Sequence, residues 1–284
     1  MIKTVGVVGS GTMGSGISQI CAVAGFEVIL VDVTESALKK GVDSILQSLT
    51  RLVAKERLTV ASSEAARARI KTTTNYDDLS SAHLVIEAAT ENYDLKVKIL
   101  RKIEEVVDDA TVLATNTSSL SITSLASSLK RPSSFIEMHF FNPVPIMPLV
   151  EVIRGIETNE TTAKTVQELT AMLKKTSISV RNSPGFVVNR ILVPMINEAF
   201  YLLMEGVATA EDIDAGMRAG ANQPIGPLAL GDLVGLDVCL SVMDVFYKDF
   251  GDTKYRACPL LRELVAAGRL GRKTGRGVYA YEGA

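Results

Sequence analysis

The chain has 284 residues, enough for two domains, and its 47% hydrophobic content supports a substantial core. A net charge of −2 argues against nucleic acid as a main partner. No apolar stretch nears the roughly 20 residues that cross a bilayer, and three cysteines without metal-like spacing (Cys21, Cys239 and Cys258) point to a reducing cytoplasm rather than a disulfide or metal framework.

The first elements form a β-α-β unit. Val5–Val8 reads as a buried strand that runs into Gly9-Ser10-Gly11-Thr12-Met13-Gly14. The glycine turn begins too early in the chain for a secretory signal to precede it. A helix opens at about Thr12, with Ile17, Ile20, Cys21 and Ala24 at helical spacing, and Gly25 ends it. Val28–Val31 is the second strand, and Asp32 stands at its end. The spacing is that of a dinucleotide fingerprint. Gly9 permits the tight turn, Gly11 lets a pyrophosphate approach the backbone, and Gly14 lets helix and sheet pack closely. The helix N-terminus offers N–H groups and a positive dipole end to the phosphates, with Ser10, Thr12 and Met13 completing the turn. Asp32 can accept from a ribose diol and would repel a 2′-phosphate, which predicts NAD rather than NADP.

A long helix follows from about Glu35 to Arg57, with Leu38, Val42, Ile45, Leu46, Leu49 and Val53 on its apolar side, and then a shorter one from Ser63 to Arg69. This excursion is large for a crossover and reads as an arm that covers something. Ser48 and Lys55, seven residues apart, share one of its faces. Further strands are predicted at Ile70–Thr73, Leu84–Ala89, Thr111–Thr115, Phe135–Phe141, Leu149–Ile153 and Ile178–Val180, with helices around Leu95–Val106, Leu120–Leu129 and Thr161–Leu173. Glu91, Lys96 and Asn116 to Ser119 fall at or near carboxyl ends of strands, where ligands sit in open α/β sheets. Asn182-Ser183-Pro184-Gly185 is a breaker cluster. It divides a doubly wound, Rossmann-like α/β domain (1–183) from an all-helical domain (184–284).

Helices in the second domain are predicted over Phe186–Met204, Ala210–Ala219, Leu228–Phe250 and Leu260–Ala267. The first is apolar on nearly all sides, so a second subunit is expected to cover part of it, and Pro194 should kink it. The tail Gly271–Tyr279 is basic, glycine-rich and flexible in principle.

Two histidines are present. His83 opens a core strand and reads as structural. His139 ends a strand just before Asn142-Pro143-Val144-Pro145-Ile146-Met147-Pro148, a loop that its three prolines stiffen. Glu151 lies twelve residues on, in the next strand. If the two strands are neighbours, the carboxylate reaches the ring, sets its tautomer and leaves the other nitrogen to take a proton. Beside a dinucleotide, that pair suits the oxidation of an alcohol.

His139-Phe140-Phe141-Asn142-Pro143-Val144-Pro145, Leu149-Val150-Glu151, Asn116-Thr117-Ser118-Ser119, Pro184-Gly185-Phe186-Val187-Val188-Asn189-Arg190 and Gly271–Gly275 together resemble the L-3-hydroxyacyl-CoA dehydrogenases. The resemblance spans essentially the whole chain and, in compact length, looks most like the bacterial 3-hydroxybutyryl-CoA enzymes. It implies an NAD cofactor, an acyl-CoA substrate, a cytoplasmic enzyme and a homodimer built through the helical domain. It further implies His139 as general base, Glu151 as its partner, and Ser118 and Asn189 as ligands of the substrate oxygen and the histidine. It implies Glu91, Lys96, Asn116, Ser118, Asn142 and Lys273 near NAD, and Ser48 and Lys55 at the CoA nucleotide. Pro148 before Leu149 differs from members with a basic residue there. Three alternatives stay open: a hydroxyacid or sugar-acid dehydrogenase of similar build, an idle crystallin-like NAD-binding protein, and a nucleotide-sensing regulator.

Overall fold

The structure is a computed structural model and describes residues 2–281. It divides into two compact units, Met1–Ser183 and Pro184–Ala284.

In the first unit, eight strands form one sheet: β1 (Thr4–Val8), β2 (Glu27–Val31), β3 (Ile70–Thr73), β4 (Leu84–Glu87), β5 (Val112–Thr115), β6 (Phe135–Phe140), β7 (Leu149–Arg154) and β8 (Thr176–Arg181). Their order is β3-β2-β1-β4-β5-β6-β7-β8. Pairing is parallel from β3 across to β6, antiparallel between β6 and β7, and parallel again between β7 and β8. Helices α1 (Thr12–Val23), α2 (Glu35–Ala54), α3 (Val60–Ala68), α4 (Tyr93–Val106), α5 (Ile122–Ala126) and α6 (Glu160–Met172) join the strands. This is the doubly wound, Rossmann-like architecture expected.

The period-two alternation of strand side chains gives the sheet two different faces. Val5, Val7, Leu84, Ile86, Ala114, Met138, Phe140, Val150 and Val152 belong to one hydrophobic core with Ile17 of α1, Leu38 and Ile45 of α2, and Val166 and Leu169 of α6. Each such side chain, fully buried, contributes about 1.5–3 kcal/mol. The alternate residues point to the other face. There the buried Val85, Leu113, Phe135 and Ile153 give way toward one edge to the buried polar side chains Glu87, Thr115, Glu137, His139 and Glu151.

The second unit is helical: α7 (Val188–Met204), α8 (Ala210–Gly220), α9 (Pro227–Val234), α10 (Leu236–Phe250) and α11 (Pro259–Ala266). The single helix predicted over Leu228–Phe250 is in fact two. Gly235 breaks it at φ 106°, a conformation that glycine adopts without steric cost. Helix α7 runs through Pro194. It buries Val193, Ile196, Ala199 and Phe200 in the unit's own core, while Ile191 on its first turn is 68% exposed.

The tail is not the loose segment its composition suggests. Asp232 on α9 accepts hydrogen bonds from the Val278 and Tyr279 backbone N–H groups and from the Tyr281 hydroxyl, each at 2.9 Å. A Cβ on Gly277 would stand 1.9 Å from the Asp232 carboxylate, so the clasp itself requires glycine there.

Candidate active site

The dinucleotide turn is built as its glycines require. Gly9 has φ +103°, and a Cβ there would meet the Ala88 backbone at 2.7 Å. A Cβ on Gly14 would stand 1.8 Å from the Gly9 carbonyl oxygen, so α1 can approach β1 this closely only with glycine at that position. A Cβ on Gly11 would meet nothing within 4 Å, which leaves open space in front of the helix. Gly11 is also the N-cap of α1, and no side chain caps that terminus. The other helices of this unit are capped by Thr34, Thr59, Asn92, Ser121 and Asn159. The first-turn N–H groups of α1 therefore await an acceptor, and an anionic phosphate is the natural one. Asp32 leans over the turn. Its carboxylate accepts from Ser10 N at 2.7 Å, Ser10 Oγ at 2.6 Å and Val33 N at 2.6 Å. These residues fit a dinucleotide with an unphosphorylated ribose.

Farther along the same sheet edge, β6 and β7 pair with His139 directly opposite Glu151. His139 Nδ1 lies 2.7 Å from Glu151 Oε2. Glu151 is wholly buried and His139 nearly so, and the Phe141 ring lies 4.7 Å from the imidazole, centroid to centroid. A carboxylate beside Nδ1 favours the tautomer with its N–H there, which leaves the lone pair on Nε2.

The loop after β5 is held from three sides. Asn116 Oδ1 accepts from Phe140 N at 3.0 Å, tying the ends of β5 and β6 together. Glu91 accepts from Ser118 N at 2.9 Å, from Ser118 Oγ at 3.2 Å and from the Thr117 hydroxyl. Glu137 accepts from Thr117 N at 2.9 Å. The proline loop after β6 has its own tie: Lys175 Nζ donates to the carbonyls of Val144 and Met147 at 2.7 and 2.6 Å.

Residues 4–183 match the NAD-binding domain of 3-hydroxyacyl-CoA dehydrogenase, and residues 185–281 match that enzyme's C-terminal domain. The chain belongs to the 3-hydroxyacyl-CoA dehydrogenase family. A 3-hydroxybutyryl-CoA dehydrogenase of Clostridioides difficile is 52% identical over 97% of this chain and 98% of its own length. One from Bradyrhizobium diazoefficiens is 49% identical over 100% and 97%. The crystal structure of (S)-3-hydroxybutyryl-CoA dehydrogenase from Ralstonia eutropha matches with a TM-score of 0.97 and 59% identity, over 99% of this chain and all of that one.

Within this dehydrogenase, the expected residues fall into groups. Gly9 to Gly14 and Asp32 form one cluster, Glu91 and Ser118 a second, and His139 with Glu151 a third. Asn142 is exposed at the head of the proline loop, Ser48 is half-buried on α2, and Lys55 is exposed just past that helix's end. Asn189 and Lys273 lie in the helical unit; Asn189 is half-buried in the first turn of α7, and Lys273 pairs with Asp237 at 2.6 Å. His83, read as structural, is exposed, and its Nδ1 accepts the Thr4 backbone N–H at 3.4 Å.

Lys96, expected near the cofactor, has an entirely buried side chain, with Nζ paired to Glu87 and bonded to Thr115 Oγ1 at 3.1 Å. A buried ammonium needs a counter-charge, and Glu87 provides it from the floor of the sheet. Glu137, which no motif in the sequence singles out, is the acceptor of the Thr117 backbone N–H. The signal for Glu137 was an acid inside Phe135-Ile136-Glu137-Met138-His139-Phe140, a strand buried along its whole length.

Proposed function

We propose that the protein is an NAD-dependent (S)-3-hydroxyacyl-CoA dehydrogenase of short acyl chains, with 3-hydroxybutyryl-CoA and acetoacetyl-CoA as its substrate pair. The observation that carries this reading is the 2.7 Å His139–Glu151 pair at the ligand edge of the sheet that bears the dinucleotide turn. The names of the relatives support the short acyl chain.

In this reading the C3 hydroxyl lies against His139 Nε2, which takes the hydroxyl proton as hydride leaves C3. NAD, held at the Gly9–Gly14 turn and Asp32, would supply the hydride acceptor. Glu151 keeps Nδ1–H in place and stabilises the imidazolium that forms, and such a base is worth about 10²–10⁴ in rate. In the reverse direction the imidazolium returns the proton to the ketone oxygen. Ser118, held by Glu91, is the hydroxyl that bonds the substrate oxygen, and Asn189 is assigned to the same oxygen and the histidine by family resemblance. Glu91, Asn116, Asn142 and Lys273 are assigned to the cofactor, and Ser48 and Lys55 to the CoA nucleotide, on the same basis. A homodimer through the helical unit accords with the exposed Ile191 and Val187 on and beside α7. A cytoplasmic setting accords with three unbridged, buried cysteines.

The test mixes protein, acetoacetyl-CoA and reduced cofactor and follows loss of the cofactor's absorbance. Consumption of NADH, much faster than of NADPH, is the expected result. A folded protein that leaves NADH untouched, or that turns over only a free hydroxy acid, refutes the assignment.

A further inference from the structure

Glu137 lies two residues before His139 on β6, and the strand's alternation puts both on one face of the sheet. Its row across the sheet is Glu87, Thr115 and Glu137, paired strand to strand. The side chain is fully buried. Oε1 accepts the Thr117 backbone N–H at 2.9 Å, while Oε2 is sealed from solvent with no hydrogen-bond partner among the described residues.

The charges around it do not favour a second anion. Lys96 on α4 is the nearby cation, and it is already committed to Glu87 on β4. Glu91, behind β4, and Glu151, on β7, both act on Glu137 to disfavour its charge. His139, on its own strand, is engaged by Glu151. A carboxylate with one hydrogen bond and no counter-ion of its own is among the costliest groups to bury, and such a group keeps its proton instead. Burial pushes the Glu137 carboxyl well above the usual carboxylate range, against smaller opposing effects of the Thr117 N–H and Lys96.

We infer that Glu137 works as an un-ionised carboxylic acid, a positioning residue that fixes the Thr117–Ser118 turn from below and adds no second negative charge beside the His139–Glu151 pair. The inference rests on the dehydrogenase reading for the roles of Ser118 and His139. The neutral acid has two uses there. Its carbonyl oxygen holds Thr117 N, so the backbone that carries Ser118 cannot drift. Its missing charge spares the buried cluster a second carboxylate anion beside Glu151.

Three proteins test this: wild type, Glu137→Gln and Glu137→Leu. The amide of Gln keeps a neutral acceptor for Thr117 N, whereas Leu removes it. Infrared difference spectra of wild type minus Glu137→Gln at pH 7.5 should show the carbonyl stretch of one un-ionised carboxylic acid, shifting on transfer to D₂O. In acetoacetyl-CoA reduction, Glu137→Gln should keep kcat within about threefold of wild type. Glu137→Leu should lose roughly ten- to a hundredfold in kcat, the scale of a misplaced catalytic group, with NADH affinity retained. A spectrum with only carboxylate bands overturns the inference, as does a Gln variant no better than Leu. An inactive wild type refutes the dehydrogenase reading instead, and the infrared result stands apart from it.

Discussion

Glu87 and Glu137 occupy the same row of the sheet with Thr115 between them, and both are buried to the last ångström of surface. Their surroundings could hardly differ more. Glu87 receives the Lys96 ammonium, the Thr115 hydroxyl at 2.7 Å and the Ala89 backbone N–H at 2.8 Å. Glu137 receives one backbone N–H. Depth alone therefore does not decide whether an acid is charged; the supply of donors and counter-charge does. Glu151 is an intermediate case, with an imidazole as partner, and of the three acids it alone is paired with a group that can gain and lose a proton near neutral pH.

Stripping Glu151 of its partner should have the largest effect. His139→Ala should lower kcat by about 10²–10⁴, the worth of a positioned general base. Binding of NADH, measured by calorimetry, should survive. Equal losses of binding and folding would make the histidine a packing residue.

Stripping Glu87 of its partner should act on the fold instead. Lys96→Met leaves a buried carboxylate without its ammonium, and breaking such a pair costs about 3–5 kcal/mol in denaturant unfolding. Adding Glu87→Gln should restore much of that loss, because an uncharged pair has no desolvation debt of that size. If the double variant is no more stable than Lys96→Met, the pair does not account for the loss.

Glu137 should show its difference in the pH dependence of stability. A carboxyl whose folded-state pKa is raised binds more protons folded than unfolded. Its penalty is absent in acid, begins to grow as pH rises through the ordinary carboxylate range, and is complete above the raised value. Glu137→Gln should therefore flatten the fall in stability on the way from mildly acid to neutral pH. A variant whose stability runs parallel to wild type over that range would mean the acid is not raised.

The smallest effect serves as a scale for the others. Asn92 caps α4 by accepting from Leu95 N at 3.0 Å, and Asn92→Ala should cost about 1 kcal/mol with no pH dependence.

How much of this was legible beforehand follows from range. The β-α-β unit and its acid are local, so Gly9, Gly14 and Asp32 could be read from spacing alone. The His139–Glu151 pairing could be reached as well, because two strands joined by a short rigid loop tend to be neighbours. Glu137 meeting Thr117, and Lys96 turning inward to Glu87, depend on which strands lie side by side and which face is covered. A linear pattern does not encode that. Gly235 was hidden inside an otherwise continuous helical period. The tail looked loose because the acid that pins it, Asp232, lies 46 to 49 residues before the groups it holds.

The uncapped start of α1 has a consequence for the protein without its nucleotide. Amides of Thr12, Met13 and Gly14 lack the side-chain acceptor that the neighbouring helices keep, so this turn should exchange its hydrogens with solvent sooner than the start of α2 or α4. A ligand that fills the place of the cap then acts as part of the tertiary structure, slowing exchange there and lending the whole fold about 2.7 kcal/mol at a hundredfold excess over its Kd.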